Sequence, residues 1–369
     1  MTTAEQSAPA LKEIFNQQRL EHIADEMLAV YPGFDRRGFL KHASQGLAEL
    51  SVMQRLARVS DSLHSVLALD YETSLGLLEA LAPRLDSRFV CMFLPHYVAS
   101  HGTHAFERSM QALKFFTGFG SSEFAIRPFL RSDPQRTLAL MQQWALDPDE
   151  HVRRLASEGS RPRLPWSFRL EQIQADPTLA APILDALKAD PSLYVRKSVA
   201  NHLNDITKDH PSWVLDLIEG WPLDNPHTAW IARHALRSLI KQGERRALAI
   251  IGAGARAEVE LLDLRIEPPT IRLGERVNLS FTLASTAAAS QKLVVDYAID
   301  YVKASGATSA KVFKLKTLTL GAHARETLSR AQHIRELSTR RHYAGSHRVH
   351  ILVNGECLGS TQFELLGED

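Results

Sequence analysis

The chain has 369 residues, 44% of them apolar, which is enough for two or three domains with substantial cores. Its 43 basic and 42 acidic residues nearly cancel, so global charge singles out no partner, acidic or basic. Two distant cysteines, Cys91 and Cys357, exclude a disulfide framework, and no apolar run reaches the roughly 20 residues that span a bilayer. The N-terminus carries no basic region followed by an apolar one, so no secretory signal is read there. The expectation is a cytoplasmic monomer with no membrane partner.

Residues 1–10 read as a disordered tail. From Leu11 the pattern turns helical, with Leu11, Ile14, Phe15, Leu20, Ile23, Met27 and Leu28 recurring at three and four residues. Tyr31-Pro32-Gly33 stops that helix, and further amphipathic helices are expected over 34–57, 60–67, 71–81, 89–101 and 104–116. Ser121-Ser122-Glu123 is expected to cap a helix running through Phe124, Ile126 and Phe129. The helical domain as a whole is placed at 11–250.

Its last part repeats itself. Asp133-Pro134, Asp147-Pro148, Asp176-Pro177 and Asp190-Pro191 form a ladder, continued by His210-Pro211 and Asn225-Pro226. An Asp or Asn before Pro reads as an N-cap with proline at the first helical position, where its missing N–H is no loss. Asp133 to Asp176 and Asp147 to Asp190 both span 43 residues, and two capped helices per unit of that length indicate HEAT-like repeats. The longer unit carries an insertion, Gly159-Ser160-Arg161-Pro162-Arg163-Leu164-Pro165-Trp166. Insertions in helical solenoids fall in loops on one face, often the binding face.

Helical periodicity ends at a small-residue linker, 251–257, and strands follow in a β-sandwich at 258–369. They are expected over 259–266, 277–283, 293–301, 311–320, 347–353 and 361–365, with turns at Pro268-Pro269, Leu273-Gly274, Ser305-Gly306 and Asn354-Gly355. The run from Tyr343 to Val349 resembles the tyrosine corner of immunoglobulin-like domains, without their cysteine pair. Lys314, Lys316, Arg340 and Arg341 belong to a cationic segment opposed only by Glu326 and Glu336, which suits either phosphate contacts or a solvated sheet face.

Three carboxylates stand out on the repeats. Glu158 lies just before the insertion; Asp205 is one helical turn beyond its repeat counterpart Asn201, so both project toward one surface. Glu123 precedes them. The plain reading of Glu123 is an acid complementing a helix dipole, and of Glu158 and Asp205 surface solvation or pairing with Arg153 or Lys208. Trp166, bracketed by prolines, either caps the repeat core or stands exposed as a platform for a cation. Arg153, Arg154, Arg161, Arg163, Arg196, Lys197 and Arg233 recur along the repeats, suited to phosphate contact or to pairing with neighbouring acids. His96, His101 and His104 lack a His-Glu-x-x-His arrangement, and Gly252-x-Gly254 follows no strand, so neither metal nor nucleotide cofactor is expected.

The segments from Ser121 to Phe129, from Val152 to Trp166 and from Val195 to Asp205 resemble the AlkC family of bacterial DNA-alkylation-repair glycosylases, the Arg-Pro-Arg-Leu-Pro-Trp run most specifically. Helical repeats followed by an immunoglobulin-like domain are also similar to a subset of that family. The resemblance implies excision of 3-methyladenine and 3-methylcytosine from double-stranded DNA, with Glu123, Glu158, Asp205 and Trp166 facing the lesion. It further implies that the base stays stacked in bent DNA rather than flipped. The expectation is therefore a HEAT-like α-solenoid followed by an immunoglobulin-like β-sandwich, acting as a monofunctional DNA N-glycosylase. The rival reading is a non-catalytic HEAT-repeat scaffold for DNA or protein.

Overall fold

The computed structural model describes residues 11–336 and 341–367, so the expected tail at 1–10 and Arg340 lie outside the described residues. Packing divides the chain into two compact units between Asp209 and His210. The change from helix to strand comes later, between Ile250 and Val259. No described helix is long and apolar enough to cross a membrane.

The first unit is helical throughout, and its helices start where side chains satisfy free backbone N–H groups. Asn16 accepts from Arg19, Asp35 from Gly38 and Asp70 from Thr73, while Ser51 and Gln54 form a capping box. The helix expected over 34–57 is interrupted. Gly46 takes φ 65°, and the stretch resolves into Arg36–Ser44, a 3-10 turn Leu47–Glu49 and Val52–Leu67. A left-handed glycine ends a helix at little steric cost, which apolar periodicity does not register.

The Asp-Pro ladder does two different things. Asp133 caps Pro134–Trp144 through the Arg136 N–H, Asp176 caps the 3-10 turn Pro177–Ala180, and Asn225 caps Pro226–Ala235 in the second unit. Asp147 and Asp190 do not cap helices. Their side chains accept from the backbone N–H two residues on, and the helices begin later, as Glu150–Gly159 and Leu193–Ile206. Such Asx turns compete with helix initiation. An arginine six residues on ties off each turn. Arg153 Nη1 donates to the carbonyls of Asp147 and Pro148, both at 2.9 Å, and Arg196 Nη1 to those of Asp190 and Pro191, both at 2.8 Å. The Asx turn and its arginine tie thus recur at the 43-residue spacing, and Arg153 Nε reaches Asp190 at 2.7 Å to link successive units.

The second unit opens with helices Pro211–Glu219, Pro226–Ala235, Arg237–Lys241 and Arg245–Ile250. Eight strands follow: β1 (Val259–Glu267), β2 (Thr270–Ile271), β3 (Arg276–Ser285), β4 (Gln291–Val302), β5 (Thr308–Leu320), β6 (Arg325–His333), β7 (Gly345–Val353) and β8 (Glu356–Leu365). One sheet has the order β1-β3-β6 and the other β2-β8-β7-β4-β5. Alternating residues such as Phe281, Leu283, Val295, Tyr297, Ile351 and Phe363 fill the space between them. This is a helical region followed by an immunoglobulin-like sandwich, as expected. The sequence reading missed β2 and β6: β2 is two residues long, and only Leu328 is buried in β6, so no alternation marks it.

Candidate active site

The insertion after Glu150–Gly159 is held from beneath by a residue the sequence reading passed over. Arg127 is fully buried, and its Nη1 donates to the carbonyls of Gly159 at 3.0 Å and Arg161 at 2.7 Å. Its Nη2 reaches the Phe168 carbonyl. Burial, followed by the nearby Arg161 charge, pulls this guanidinium down to about 10. Ile126 sits so close that a Cβ on Gly159 would meet its Cγ2 at 2.5 Å, so the helix end needs glycine for close approach. The available sequence signal was a cation set among Ile126, Pro128 and Phe129.

Clamped in this way, the loop turns back at Leu164–Ser167, where the Ser167 N–H donates to the Leu164 carbonyl at 3.3 Å. Pro165 and Trp166 occupy the centre of that turn, and Trp166 has φ 65°. A positive φ at the third position is characteristic of a type II turn and normally calls for glycine. Trp166 is nevertheless 65% exposed. A large aromatic in a disfavoured backbone state with most of its surface in water marks a site where strain is tolerated for display. Trp166 and Phe168 border an apolar depression of about 270 Å³ shared with Met92, Pro95, Phe124 and Pro128.

The three carboxylates are joined by two arginines. Arg161, 8% exposed, bonds Glu158 Oε1 through Nη1 at 2.7 Å and Asp205 Oδ2 through Nε at 2.8 Å. Glu158 and Asp205 are themselves only 6% and 5% exposed. Arg154 Nη1 bonds Glu123 Oε2 at 2.6 Å, its Nη2 lies 3.7 Å from Glu158 Oε1, and its guanidinium stacks 4.8 Å from the centre of the Tyr194 ring. Burial alone would lower both guanidinium pKa values. For Arg154 the charges of Glu123 and Glu158 outweigh it, and for Arg161 the hydrogen bond to Asp205 and the charge of Glu158 do, so both are raised. Both arginines address Oε1 of Glu158, and Oε2 accepts no hydrogen bond among the described residues. Lys208 approaches Asp205 at 3.6 Å, as the plain reading anticipated.

Glu123 differs from its expected setting. It lies in a turn ahead of the short helix Arg127–Ser132 and not in a helical first turn, and its oxygen accepts from Ser121 Oγ and Arg154. Beneath the network, His202 is fully buried between helices, its Nδ1–H donating to the Ser157 carbonyl at 3.0 Å. Burial and the Arg161 charge pull its pKa down to about 3, so it is neutral. Of the other singled-out groups, His96 lines the depression beside Trp166, and the rest lie elsewhere. His101 stacks on His64 at 3.7 Å, His104 meets Tyr71 edge-on, and burial pushes the Cys91 thiol up to about 11.

Residues 107–239 match the family model described as "DNA alkylation repair enzyme". Residues 260–367 match that described as "Uncharacterised protein YhaZ, C-terminal Ig-like domain". The YhaZ protein of Bacillus subtilis (strain 168) is 39% identical over 356 residues, 96% of this chain and 99% of its own length. The alkylpurine DNA glycosylase AlkC of Pseudomonas fluorescens, solved bound to DNA containing an abasic site analog, is 71% identical. It superposes with a TM-score of 0.95 over 97% of this chain and 100% of that one. This chain belongs to the AlkC family of DNA-alkylation-repair glycosylases. In this AlkC-family chain the expected phosphate-binding cations divide into two groups. Arg153, Arg154, Arg161 and Arg196 each donate to acids or carbonyls inside the protein. Repeat arginines beside acids of the next helix pair locally because the partner is already at hand. Arg163 makes a two-pronged pair with Asp209 at 2.7 and 3.0 Å. Lys316 pairs with Glu326, while Lys197, Arg233, Lys314 and Arg341 are exposed.

Proposed function

We propose that this AlkC-family chain is a monofunctional DNA glycosylase that hydrolyses the N-glycosidic bond of cationic N3-methylated bases, 3-methyladenine and 3-methylcytosine, in double-stranded DNA. The observation that carries the reading is the gathering of Glu123, Glu158 and Asp205 into one arginine-bridged network beside the exposed, strained Trp166.

The chemistry follows from the charge on the lesion. A base methylated at N3 is already positive, so it departs neutral, and no strong general acid is needed. The sugar left behind develops oxocarbenium character, which fixed carboxylates stabilise by charge, and one of them can accept a proton from the attacking water. Glu158 is the choice for that base, because its Oε2 is left open by both arginines. Asp205 and Glu123 supply negative charge from either side. Arg154 and Arg161 hold the acids fixed in place, so little reorganisation is needed as charge develops. The Trp166 indole face, largely in water in the free protein, meets the cationic base or sugar through its ring quadrupole.

A displayed tryptophan beside a fixed network of largely buried acids suits a lesion approached in place, with the base left in its stack. Of the basic residues, Lys197, Arg233, Lys314 and Arg341 are the proposed phosphate contacts that hold DNA in a bent form. Incubation of the protein with methylated duplex and chromatography of the released material tests the proposal. Free 3-methyladenine and 3-methylcytosine are expected, together with intact abasic DNA. Binding without release of base would replace the enzyme by a scaffold.

A further inference from the structure

In the second unit, the outward face of β4 is not left to solvent. Its odd-numbered residues from Leu293 to Tyr301 enter the sandwich core, and Lys292, Val294 and Asp296 look the other way, where the helix Arg237–Lys241 packs alongside β5. Between them lies a cleft of about 60 Å³, room for a few waters or one tetrahedral anion. Arg233, Arg237, Lys241, Lys292 and Lys314 line it, and Asp296 is the one acid among the described lining residues. Five cations against one carboxylate in a small concavity is an arrangement that favours an anion.

The floor carries a buried acceptor. Asp296 is 5% exposed, and its Oδ1 has no hydrogen-bond partner among the described residues. The pairing of β4 with β5 slips between Val295 and Asp296, which leaves Leu315 out of register, and the Leu315 N–H serves the carboxyl group. An ionised carboxylate buried with one oxygen unused is costly, and burial indeed pushes Asp296 up to about 6 against the pull of Lys314 and Lys241. The pKa of nearby His234 is lowered by partial burial and by the charges of Arg237, Arg233 and Lys314, which disfavours a further positive charge there.

We propose that this cleft is a binding site for a single phosphate group, gripped jointly by Arg233, Arg237, Lys241, Lys292 and Lys314 and closed beneath by Asp296. The proposal rests on the DNA-glycosylase reading for one source of that phosphate, the DNA backbone; a free phosphate ion is the other. An arriving phosphate oxygen favours the protonated acid, whose O–H then donates to it, so Asp296 adjusts its charge to the ligand.

The test uses the full chain. Duplex binding is followed by fluorescence anisotropy across a salt series for wild type, Arg233→Ala, Lys314→Ala, the double variant and Asp296→Asn. Inorganic phosphate is separately titrated against thermal unfolding. If the DNA backbone fills the site, each single change and the double change flatten the log–log salt slope by about one unit in all, because one phosphate is shared. If free phosphate fills it, inorganic phosphate raises the unfolding temperature of wild type but not of the double variant, and the slope stays put. In both cases Asp296→Asn, which keeps a donor and removes the opposing charge, tightens the ligand several-fold at pH 7.5. Slope losses that add to about two units indicate independent surface cations and overturn the proposal. So does an Asp296→Asn variant that binds more weakly than wild type. Base release measured on the same preparations keeps the two readings apart, since wild type that releases no base defeats the enzymatic reading while the phosphate result stands.

Discussion

The turn at Pro165-Trp166 allows a prediction in which stability and activity move separately. Replacing Trp166 by Gly or by Ala removes the same indole, but only Gly tolerates the backbone at φ 65°. With 65% of the residue exposed, about one third of an aromatic surface of roughly 200 Å² is lost from burial, or about 2 kcal/mol. For Gly this loss is offset by relief of a left-handed backbone penalty of about 1–2 kcal/mol, less about 0.4–1 kcal/mol for the extra freedom of glycine in the unfolded chain. Trp166→Gly is therefore expected about 0.5–2 kcal/mol less stable than wild type in urea unfolding, and Trp166→Ala about 0.5–1 kcal/mol less stable than the Gly variant. Both lose the indole face, worth up to about 2 kcal/mol to a desolvated cation, so single-turnover excision falls about 30-fold in each. An Ala variant as stable as the Gly variant refutes the strained turn. Wild-type excision rates in either refute the placement of the indole at the lesion.

Other substitutions test the network. Arg161→Ala leaves Glu158 and Asp205 buried without the cation that bridges them and is expected to destabilise the protein by about 3–5 kcal/mol, read by urea unfolding. Asp205→Asn lowers single-turnover release of 3-methyladenine by about 10²–10⁴ with the fold retained by circular dichroism; an unchanged rate removes Asp205 from the chemistry. His202 sets a pH dependence: its folded pKa, about 3, lies below the ordinary 6.5, so its stabilising effect is present above pH 6.5 and declines as pH falls from there toward 3. Between pH 6.5 and 5 wild type is expected to lose up to about 2 kcal/mol that a His202→Gln variant does not lose, measured by unfolding at each pH.

How much of this was legible before the structure depended on whether the interaction was local. Asp133 and Asn225 announced their helices because a cap is a contact with the next two or three residues. Asp147 and Asp190 carried the same dipeptide yet form Asx turns, since the choice is made by Arg153 and Arg196 six residues on. Helical spacing placed Glu158 and Asp205 on one surface. It did not reveal that Arg161, expected to grip phosphate, lies between them, because that bond joins residues 44 apart in the chain. Arg127 was invisible for the same reason, as its partners are backbone carbonyls 32 to 41 residues away. Strand β6 was missed because one buried residue in nine leaves no pattern to read.

The central claim is that Glu158, held by Arg161 and Arg154 with one oxygen open, acts on the sugar of a cationic nucleotide. Glu158→Gln keeps the shape of the site and removes the charge. Single-turnover release of 3-methyladenine from methylated duplex, followed by chromatography at saturating enzyme, is expected to fall by about 10²–10⁴ while duplex affinity is retained. Release at the wild-type rate would contradict the account.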